Sequence, residues 1–153
     1  MPATRAYWFW NDLVVVHLSG EETSGQFSLV EFVTPPGDMT PLHLHKRESQ
    51  TMYVLEGEVT VWLPGESHVL RAGDCIHQPA GVPQTERTTS AGPARVLDVG
   101  LPAGFEKFVE AAGEPTSELT LPPADRPEPD VERLAALAAE HHIELLGPPG
   151  ALP

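Results

Sequence analysis

The chain has 153 residues and a formal net charge of −13, with only 9 Lys and Arg side chains. Nucleic acids and anionic membranes are bound through clustered Lys and Arg, so this composition argues against both partners. The length suits one domain. Cys75 is the only cysteine, which excludes an internal disulfide, and Met1 to Leu18 has no signal-peptide layout. Together these features predict a cytoplasmic protein.

Short strands separated by turns are predicted over the first two thirds of the chain. In chain order they are Leu13–Leu18, Gln26–Thr34, Leu42–His45, Thr51–Leu55, Glu58–Leu63, His68–Arg71, Cys75–Gln78, Gln84–Thr88 and Ala94–Val99. Gly, Pro and Asp occupy the breaks between them, as turns require. Many short strands at close spacing are typical of an all-β sandwich or barrel.

The last third of the chain predicts helices instead. A short helix is expected over Gly104–Ala112, and the Pro- and Glu-rich residues 113–130 are expected to be extended. A second helix is predicted from Asp130, its N-cap, to His142, because apolar residues there recur at helical spacing. Gly147 to Pro153 is expected to form a loose tail or a strap. We therefore predict a barrel over residues 1–101 and a C-terminal extension over 102–153 that packs on it.

His43 and His45 are the first candidates for chemistry. Side chains two residues apart on a strand share one face, so both imidazoles should point the same way, about 7 Å apart along the chain. Two converging imidazoles can bind a divalent metal such as Fe, Mn, Ni, Cu or Zn. The alternative is a histidine pair that lines a small-molecule pocket without a metal.

The surroundings of this pair match two longer motifs. Gly37 precedes His43 by five intervening residues, and Gly57 closes the first motif after Tyr53-Val54-Leu55-Glu56. The second motif runs from Gly73 through Pro79-Ala80-Gly81 to Gln84. In spacing, both stretches resemble the two sequence motifs of the cupin superfamily.

Within that superfamily the chain is most similar to small bacterial quercetinase-like proteins. The stretches that carry the likeness are His43 to Glu48, Tyr53 to Val59, Pro102 to Glu106 and Ile143 to Pro148. The resemblance implies a jelly-roll barrel (a double-stranded β-helix), often a homodimer, with a metal near its centre. Some members of the family are dioxygenases that cleave flavonols.

The resemblance also implies a ligand set of four residues. The two motif-one histidines fall on His43 and His45, the usual glutamate falls on Gln50, and the motif-two histidine falls on Gln84. Glutamine offers a neutral oxygen, a weaker donor than carboxylate or imidazole. The two glutamines therefore predict weak metal binding, and they argue against a direct transfer of flavonol cleavage.

Other side chains are candidates for catalysis or for binding the substrate. Glu86 should share the face of Gln84 and supply the missing carboxylate, while Glu48 is expected in a solvated loop after His45. His77 precedes Pro79 on a strand that turns either into the cavity or outward. We expect the apolar side chains of Met52, Val54, Phe105 and Phe108 to contact substrate, with the helix around Phe105 partly covering the mouth.

Two functions remain open from the sequence. The first is a metal-dependent, dioxygenase-like cupin enzyme that acts on an aromatic or polyketide-like small molecule. The second is a metal-free cupin, either a small-molecule binding protein or an acid–base isomerase or cyclase, in which Gln50 and Gln84 hydrogen-bond the ligand.

Overall fold

The computed structural model describes residues 4–153; residues 1–3, where the Met1 to Leu18 segment begins, lie outside the described range. The elements in chain order are β1 (Arg5–Phe9), β2 (Asp12–Leu18), β3 (Ser28–Thr34), β4 (Leu42–His45), β5 (Ser49–Glu56), β6 (Glu58–Leu63), β7 (Glu66–Arg71), β8 (Cys75–Gln78), β9 (Thr85–Thr88), β10 (Ala94–Leu101), α1 (Phe105–Ala112), β11 (Glu114–Thr116), α2 (Val131–Glu140) and β12 (Ile143–Gly147). Within this range, neither helix has the length and apolar character needed to cross a membrane.

The strands form one large sheet and two smaller ones. The large sheet has the order β11-β1-β2-β3-β10-β5-β8, and the smaller ones are β7-β6-β9 and β12-β4. An isolated bridge joins the two small sheets: His43 N donates to Gln84 O at 3.0 Å, and Gln84 N donates to His43 O at 2.8 Å. The described sheets do not close into one continuous ladder. This all-β, jelly-roll arrangement confirms the predicted fold class.

The main core lies between the large sheet and β6. Met52 and Val54 on β5 and Val96 on β10 point inward and meet Val59 and Val61 on β6. Each of these side chains is at most 4% exposed. Alternate residues of β5 and β10 are buried, as a strand with one face toward a core requires.

The glycine that closes the first motif is fixed by sterics. Gly57 joins β5 to β6 with a φ of +79°, a backbone conformation that residues with a side chain rarely adopt. A Cβ added there would lie 2.9 Å from the Cα of Ala94. Gly57 therefore permits both the tight turn and the close approach of β10.

The C-terminal strand β12 packs beside β4, the strand that carries His43. Ile143 of β12 pairs with His45 and Leu145 pairs with His43, so β12 covers the free edge of β4. Ile143 also packs with Phe108 of α1 and Ala138 of α2. The sequence predicted no strand here, because the partner edge lies about a hundred residues away in the chain.

Most predicted elements agree with the structure to within a few residues. Leu42–His45, Glu58–Leu63 and Cys75–Gln78 match residue for residue. Asp130 is the N-cap of α2, where its Oδ1 accepts from Arg133 N at 3.0 Å. β1 and β11 were not predicted; they pair with each other at one end of the large sheet.

Candidate functional site

A cavity of about 120 Å³ opens between the sheets, beneath α1 and α2. Apolar side chains form most of its wall: Phe9, Trp10, Phe32, Met39, Met52, Val59, Val96, Phe105, Phe108, Leu134, Ile143 and Leu145. Its polar groups include Asp12, Asp38, His43, His45, Gln50, Glu86 and Asp98. An apolar chamber with a few convergent polar groups is the usual form of a small-molecule site.

The two histidines of β4 share one face, as predicted. Both line the cavity, and their ring centroids are 5.2 Å apart. β12 on one side and the bridge to Gln84 on the other hold the backbone of β4, so the side chains project from a fixed strand.

Both imidazoles are oriented by a bond at Nδ1. His43 Nδ1 lies 2.8 Å from the carbonyl oxygen of Pro41, which can only accept, so this nitrogen carries the proton. His45 Nδ1 lies 2.9 Å from Glu48 Oε1. Nε2 is thereby left as the acceptor nitrogen of each ring. Burial, and secondarily the nearby charge of His45, lowers the pKa of His43 to about 4, which keeps this imidazole neutral at pH 7.

Glu48 departs from its expected environment. It is 5% exposed, because the chain turns inward after His45 and seats the carboxylate against the imidazole. The prediction of a solvated loop residue was therefore wrong. A carboxylate at Nδ1 fixes the tautomer and orientation of a histidine, as the outer partner of a metal-bound or catalytic histidine does.

The two glutamines are buried and bonded to each other. Gln84 Nε2 donates to Gln50 Oε1 at 3.2 Å and lies 3.4 Å from His43 Nε2. Gln84 Oε1 is enclosed and has no partner. As oriented, the amide of Gln84 is a hydrogen-bond donor toward His43, which differs from the ligand role that the resemblance implies.

The metal implied by the resemblance can be tested against these donors. Nε2 of His43 and of His45 and Oε1 of Gln50 are atom types that bind a divalent ion, although Gln84 Nε2, which donates to His43 and Gln50, would have to move aside first. They carry no negative charge, so they fit a weakly held metal. Among residues 4–153, no cluster of three or more His, Cys, Asp or Glu side chains has metal-site geometry.

Glu86 lies in the cavity, on the strand where the sequence placed it. Its Oε2 is enclosed and has no hydrogen-bond partner. Burial raises its pKa to about 7, opposed only by the nearby Gln78 amide. A carboxyl group with this pKa exchanges its proton readily at neutral pH, as a general acid or base does.

Three further carboxyl groups were missed by the sequence reasoning. Asp12 and Asp98 are each 7% exposed, and burial, then neighbouring acidic groups, raises the pKa of both well above the ordinary value. Burial is also the first cause of the raised pKa of Asp38. A signal existed for Asp98, since the other inward positions of β10 are apolar.

Of the other side chains predicted to act in the site, three line the cavity and two do not. Met52, Phe105 and Phe108 line the cavity, and the last two belong to the helix expected at its mouth. Val54 lies instead in the main core and is fully buried there. His77 is exposed, with Nδ1 3.2 Å from Thr51 Oγ1. Its neighbour Gln78 takes the inward position of β8, so alternation turns His77 outward.

The fold is that of a β-sandwich protein with a cavity between its sheets, and the histidine pair lines this cavity. Residues 30–100 match the family model of the cupin domain. This match supports the resemblance to the cupin superfamily that the two motifs predicted.

Two curated relatives and one solved structure show where the similarity extends. The chain is 35% identical to quercetin 2,3-dioxygenase of Bacillus subtilis over 62% of its length, but spans only 28% of that protein. It is 31% identical to an uncharacterized protein of Methanocaldococcus jannaschii over 49% of its length, and spans 60% of it. The structure of a polyketide cyclase from Streptomyces resistomycificus superposes with a TM-score of 0.56 and 25% identity, covering 65% of this chain and 74% of that one.

Proposed function

We propose that this protein is an enzyme of the isomerase or cyclase kind, which moves protons on a small aromatic or polyketide-like molecule bound in the cavity. The observation that carries the proposal is Glu86, a carboxyl group in an aromatic chamber whose enclosed Oε2 has no hydrogen-bond partner. The likeness to a polyketide cyclase supports it.

The size of the chamber limits the part of the substrate that enters. Its volume of about 120 Å³ is slightly below that of an apolar protein cavity that holds one benzene, roughly 150 Å³. The cavity therefore takes at most about one aromatic ring beside Met52, Phe105 and Phe108, and larger parts of a substrate extend toward the mouth.

The polar groups have two roles, proton transfer and orientation of the substrate. Glu86 gives or takes a proton at a carbon or oxygen of the bound molecule. Nε2 of His45 accepts a hydrogen bond from a hydroxyl group, and the side-chain amide of Gln50, which lines the cavity, donates one to a carbonyl or enolate oxygen. The aromatic walls exclude water, which strengthens each of these bonds.

Benzoylacetone is a suitable probe, because it is an aromatic β-diketone whose enol absorbs strongly. We expect the protein to accelerate conversion of the enol to the ketone, with loss of Glu86 lowering the rate roughly 10²- to 10⁴-fold. Glu86→Gln keeps the shape and removes the titrating group; Glu66→Gln, at an exposed strand position, is the matched control.

The pH profile decides whether Glu86 is the proton carrier. In the wild-type protein we expect a change in rate near pH 7, which Glu86→Gln abolishes and Glu66→Gln retains. A profile that is unchanged in Glu86→Gln would remove Glu86 from the reaction. No acceleration by the wild-type protein, with no binding of benzoylacetone, would refute the proposed function.

A second candidate function is a metal-dependent, dioxygenase-like reaction. It is favoured by the bonds that engage Nδ1 of both histidines and leave Nε2 as the acceptor nitrogen of each ring. His43, His45 and Gln50 would hold the ion, which when bound would supply Lewis-acid or redox chemistry toward a substrate oxygen. The similarity to quercetin 2,3-dioxygenase makes quercetin the probe.

Metal content and oxygen uptake separate the two candidates. Elemental analysis of tag-free protein before and after chelator, followed by quercetin in aerated buffer with each added ion, tests the second one. About one equivalent of chelatable metal and oxygen consumption would favour it. Metal far below one equivalent, with benzoylacetone turnover intact after chelation, would favour proton transfer.

A further inference from the structure

A second cavity lies beside the turn that joins β1 to β2. Its volume is about 580 Å³, and it is bounded by that turn, the end of α1, the start of α2 and the Pro-rich segment 121–130. Trp10 and Leu134 line both this outer cavity and the inner chamber, the cavity that contains Glu86. These two side chains therefore form a boundary that the two cavities share.

The turn at this boundary is bonded to the strand that carries Glu86. Asn11 Nδ2 donates to Asp38 Oδ1 at 2.8 Å, and the backbone carbonyl of Asp38 accepts from Thr88 N at 3.0 Å. Thr88 ends β9, the strand of Glu86, and both Thr88 and Asp38 line the inner chamber. A substrate held beside Glu86 thus has the outer cavity within reach of a short tether.

Trp10 is held at the boundary in an unfavourable backbone conformation. Phe9 pairs with Asp12, so Trp10 and Asn11 form the loop between the strands, and Trp10 has a φ of +59°. Gly, Asn or Asp is usual at such a position, and a bulky side chain there is an outlier. Backbone strain of this kind is concentrated at active sites and ligand clamps, which indicates a role for the indole beyond closing the turn.

Specific contacts build the wall of the outer cavity. Trp8 Nε1 donates to the carbonyl oxygen of Thr120 at 3.0 Å, and Arg126 Nη1 donates to the carbonyl oxygen of Trp10 at 3.2 Å. Arg126 Nη2 also donates to Glu114 Oε2 at 3.0 Å, and the guanidinium lies 5.5 Å from the centre of the Trp8 ring. These contacts fix the Pro-rich segment against the β1–β2 hairpin.

The outer cavity offers flat and apolar surfaces to a ligand. They include the side chains of Trp8, Trp10, Leu121, Pro122, Pro129 and Leu137. Its charged side chains are bonded within the protein or exposed: Arg126 bonds Glu114, Asp130 caps α2, and Glu128 and Arg133 are exposed. An aromatic group suits this surface, because aromatic rings stack on one another with a gain beyond the burial of their area.

We propose that the substrate carries two aromatic groups, one in the inner chamber beside Glu86 and the other in the outer cavity against Trp10. The inference rests on the proposed function and names its substrate class, an extended molecule whose flexible link passes between Trp10 and Leu134. The volumes agree with this division, because the inner chamber of about 120 Å³ takes at most about one ring and the outer cavity is larger.

Three β-diketones test whether a second ring is bound. They are benzoylacetone, a derivative whose terminal methyl carbon carries a phenylpropyl group, and the matching cyclohexylpropyl derivative, each titrated by calorimetry into chelator-treated protein. We expect the phenylpropyl derivative to bind roughly tenfold more tightly than benzoylacetone, because burial of a ring is worth about that factor. Stacking should make it roughly threefold tighter than the cyclohexylpropyl derivative.

Either of two results would count against the inference. Equal affinity for benzoylacetone and the phenylpropyl derivative would overturn it. Equal affinity for the phenylpropyl and cyclohexylpropyl derivatives would overturn its aromatic part.

Leu121→Asp tests whether the second ring lies in the outer cavity. Among the described residues, Leu121 lines the outer cavity but not the inner chamber, so a carboxylate there opposes the second ring alone. We expect a roughly fivefold or greater loss of affinity for the phenylpropyl derivative, because burying a charge is costly, and no change for benzoylacetone. Leu119→Asp, at a position 59% exposed on the same segment, is the matched control and should leave all three affinities unchanged. Undiminished affinity of the phenylpropyl derivative for Leu121→Asp would contradict the assignment.

Trp10→Gly tests the contact with the indole. Glycine adopts a positive φ readily, so the variant should fold, and loss of the indole should remove the preference for phenyl over cyclohexyl. Ser24→Gly, at an exposed position with a φ of +55°, controls for the change of backbone. A phenyl preference that survives in Trp10→Gly would refute the contact with Trp10.

The outcomes for this inference and for the proposed function are separable. If benzoylacetone is turned over but a second ring adds no affinity, only the two-ring inference fails. If the phenylpropyl derivative binds in the outer cavity but no diketone is turned over, the outer site is supported and proton transfer by Glu86 fails. If none of the three diketones binds, both proposals fail.

Discussion

Replacing Asp98 by asparagine should change how the stability of the protein depends on pH. The Asp98 carboxyl is buried between the sheets, and desolvation, then the charges of Glu86 and Glu48, raises its pKa well above the ordinary value. In the unfolded chain the same group has a pKa near ~3.9. The folded state therefore binds the proton more tightly than the unfolded state.

The sign of the effect follows from that difference. Below a pH of ~3.9 both states are protonated, and Asp98 imposes no ionisation penalty. As the pH rises from there through the raised folded pKa, the unfolded state ionises first, so the stability of the wild-type protein falls. Each pKa unit of difference corresponds to about 1.4 kcal/mol at pH values above both. The asparagine side chain cannot ionise, so the Asp98→Asn variant escapes this loss.

Urea denaturation followed between pH 4 and 8.5 measures the effect. We expect the free energies of unfolding of wild type and Asp98→Asn to diverge in favour of the variant as the pH rises, after any constant offset from the new amide. Asp125→Asn, at an exposed site, should run parallel to the wild type. Parallel curves for Asp98→Asn as well would refute the view that Asp98 is buried in its charged form at a cost.

Three further predictions concern the histidines and the wall of the cavity. In metal-free protein, ¹⁵N NMR should show His43 neutral down to a pH of about 4, and an ordinary titration near ~6.5 would contradict its burial. Glu48→Ala should redistribute the tautomers of His45 in the same spectra, whereas Glu48→Gln, which can still accept from Nδ1, should preserve them. Phe108→Ala should lower the free energy of unfolding by roughly 3–5 kcal/mol in urea titrations, since Phe108 packs on Phe9 and Ile143; a loss below about 1 kcal/mol would contradict that packing.

Several expectations remain predictions. The homodimer and the cytoplasmic location come from the family resemblance and from composition. The roles of Gln50 and Gln84 also stay open to test, because an amide can present either its oxygen or its nitrogen to His43.

Local rules explain which elements were predictable. Strands with alternating burial, such as Ser49–Glu56, are set by side chains within the strand and by adjacent turn residues, among them Gly57. β12 was missed because the residues Ile143–Gly147 do not themselves indicate that they pair with the edge of β4. The same limit applies to β1 and β11, which pair with each other at one edge of the large sheet.

The sequence by itself determined the histidine pair, the spacing of the two motifs and the all-β fold, because strand alternation and turn chemistry act over a few residues. Only the tertiary structure decided that Asp12, Glu86 and Asp98, from three different strands, would line the same apolar chamber. It also decided that Glu48 would be buried against His45 and that His77 would face outward. Burial and charge coupling are properties of the assembled sheets, and they set the pKa values and the unpartnered atoms on which the proposed chemistry depends.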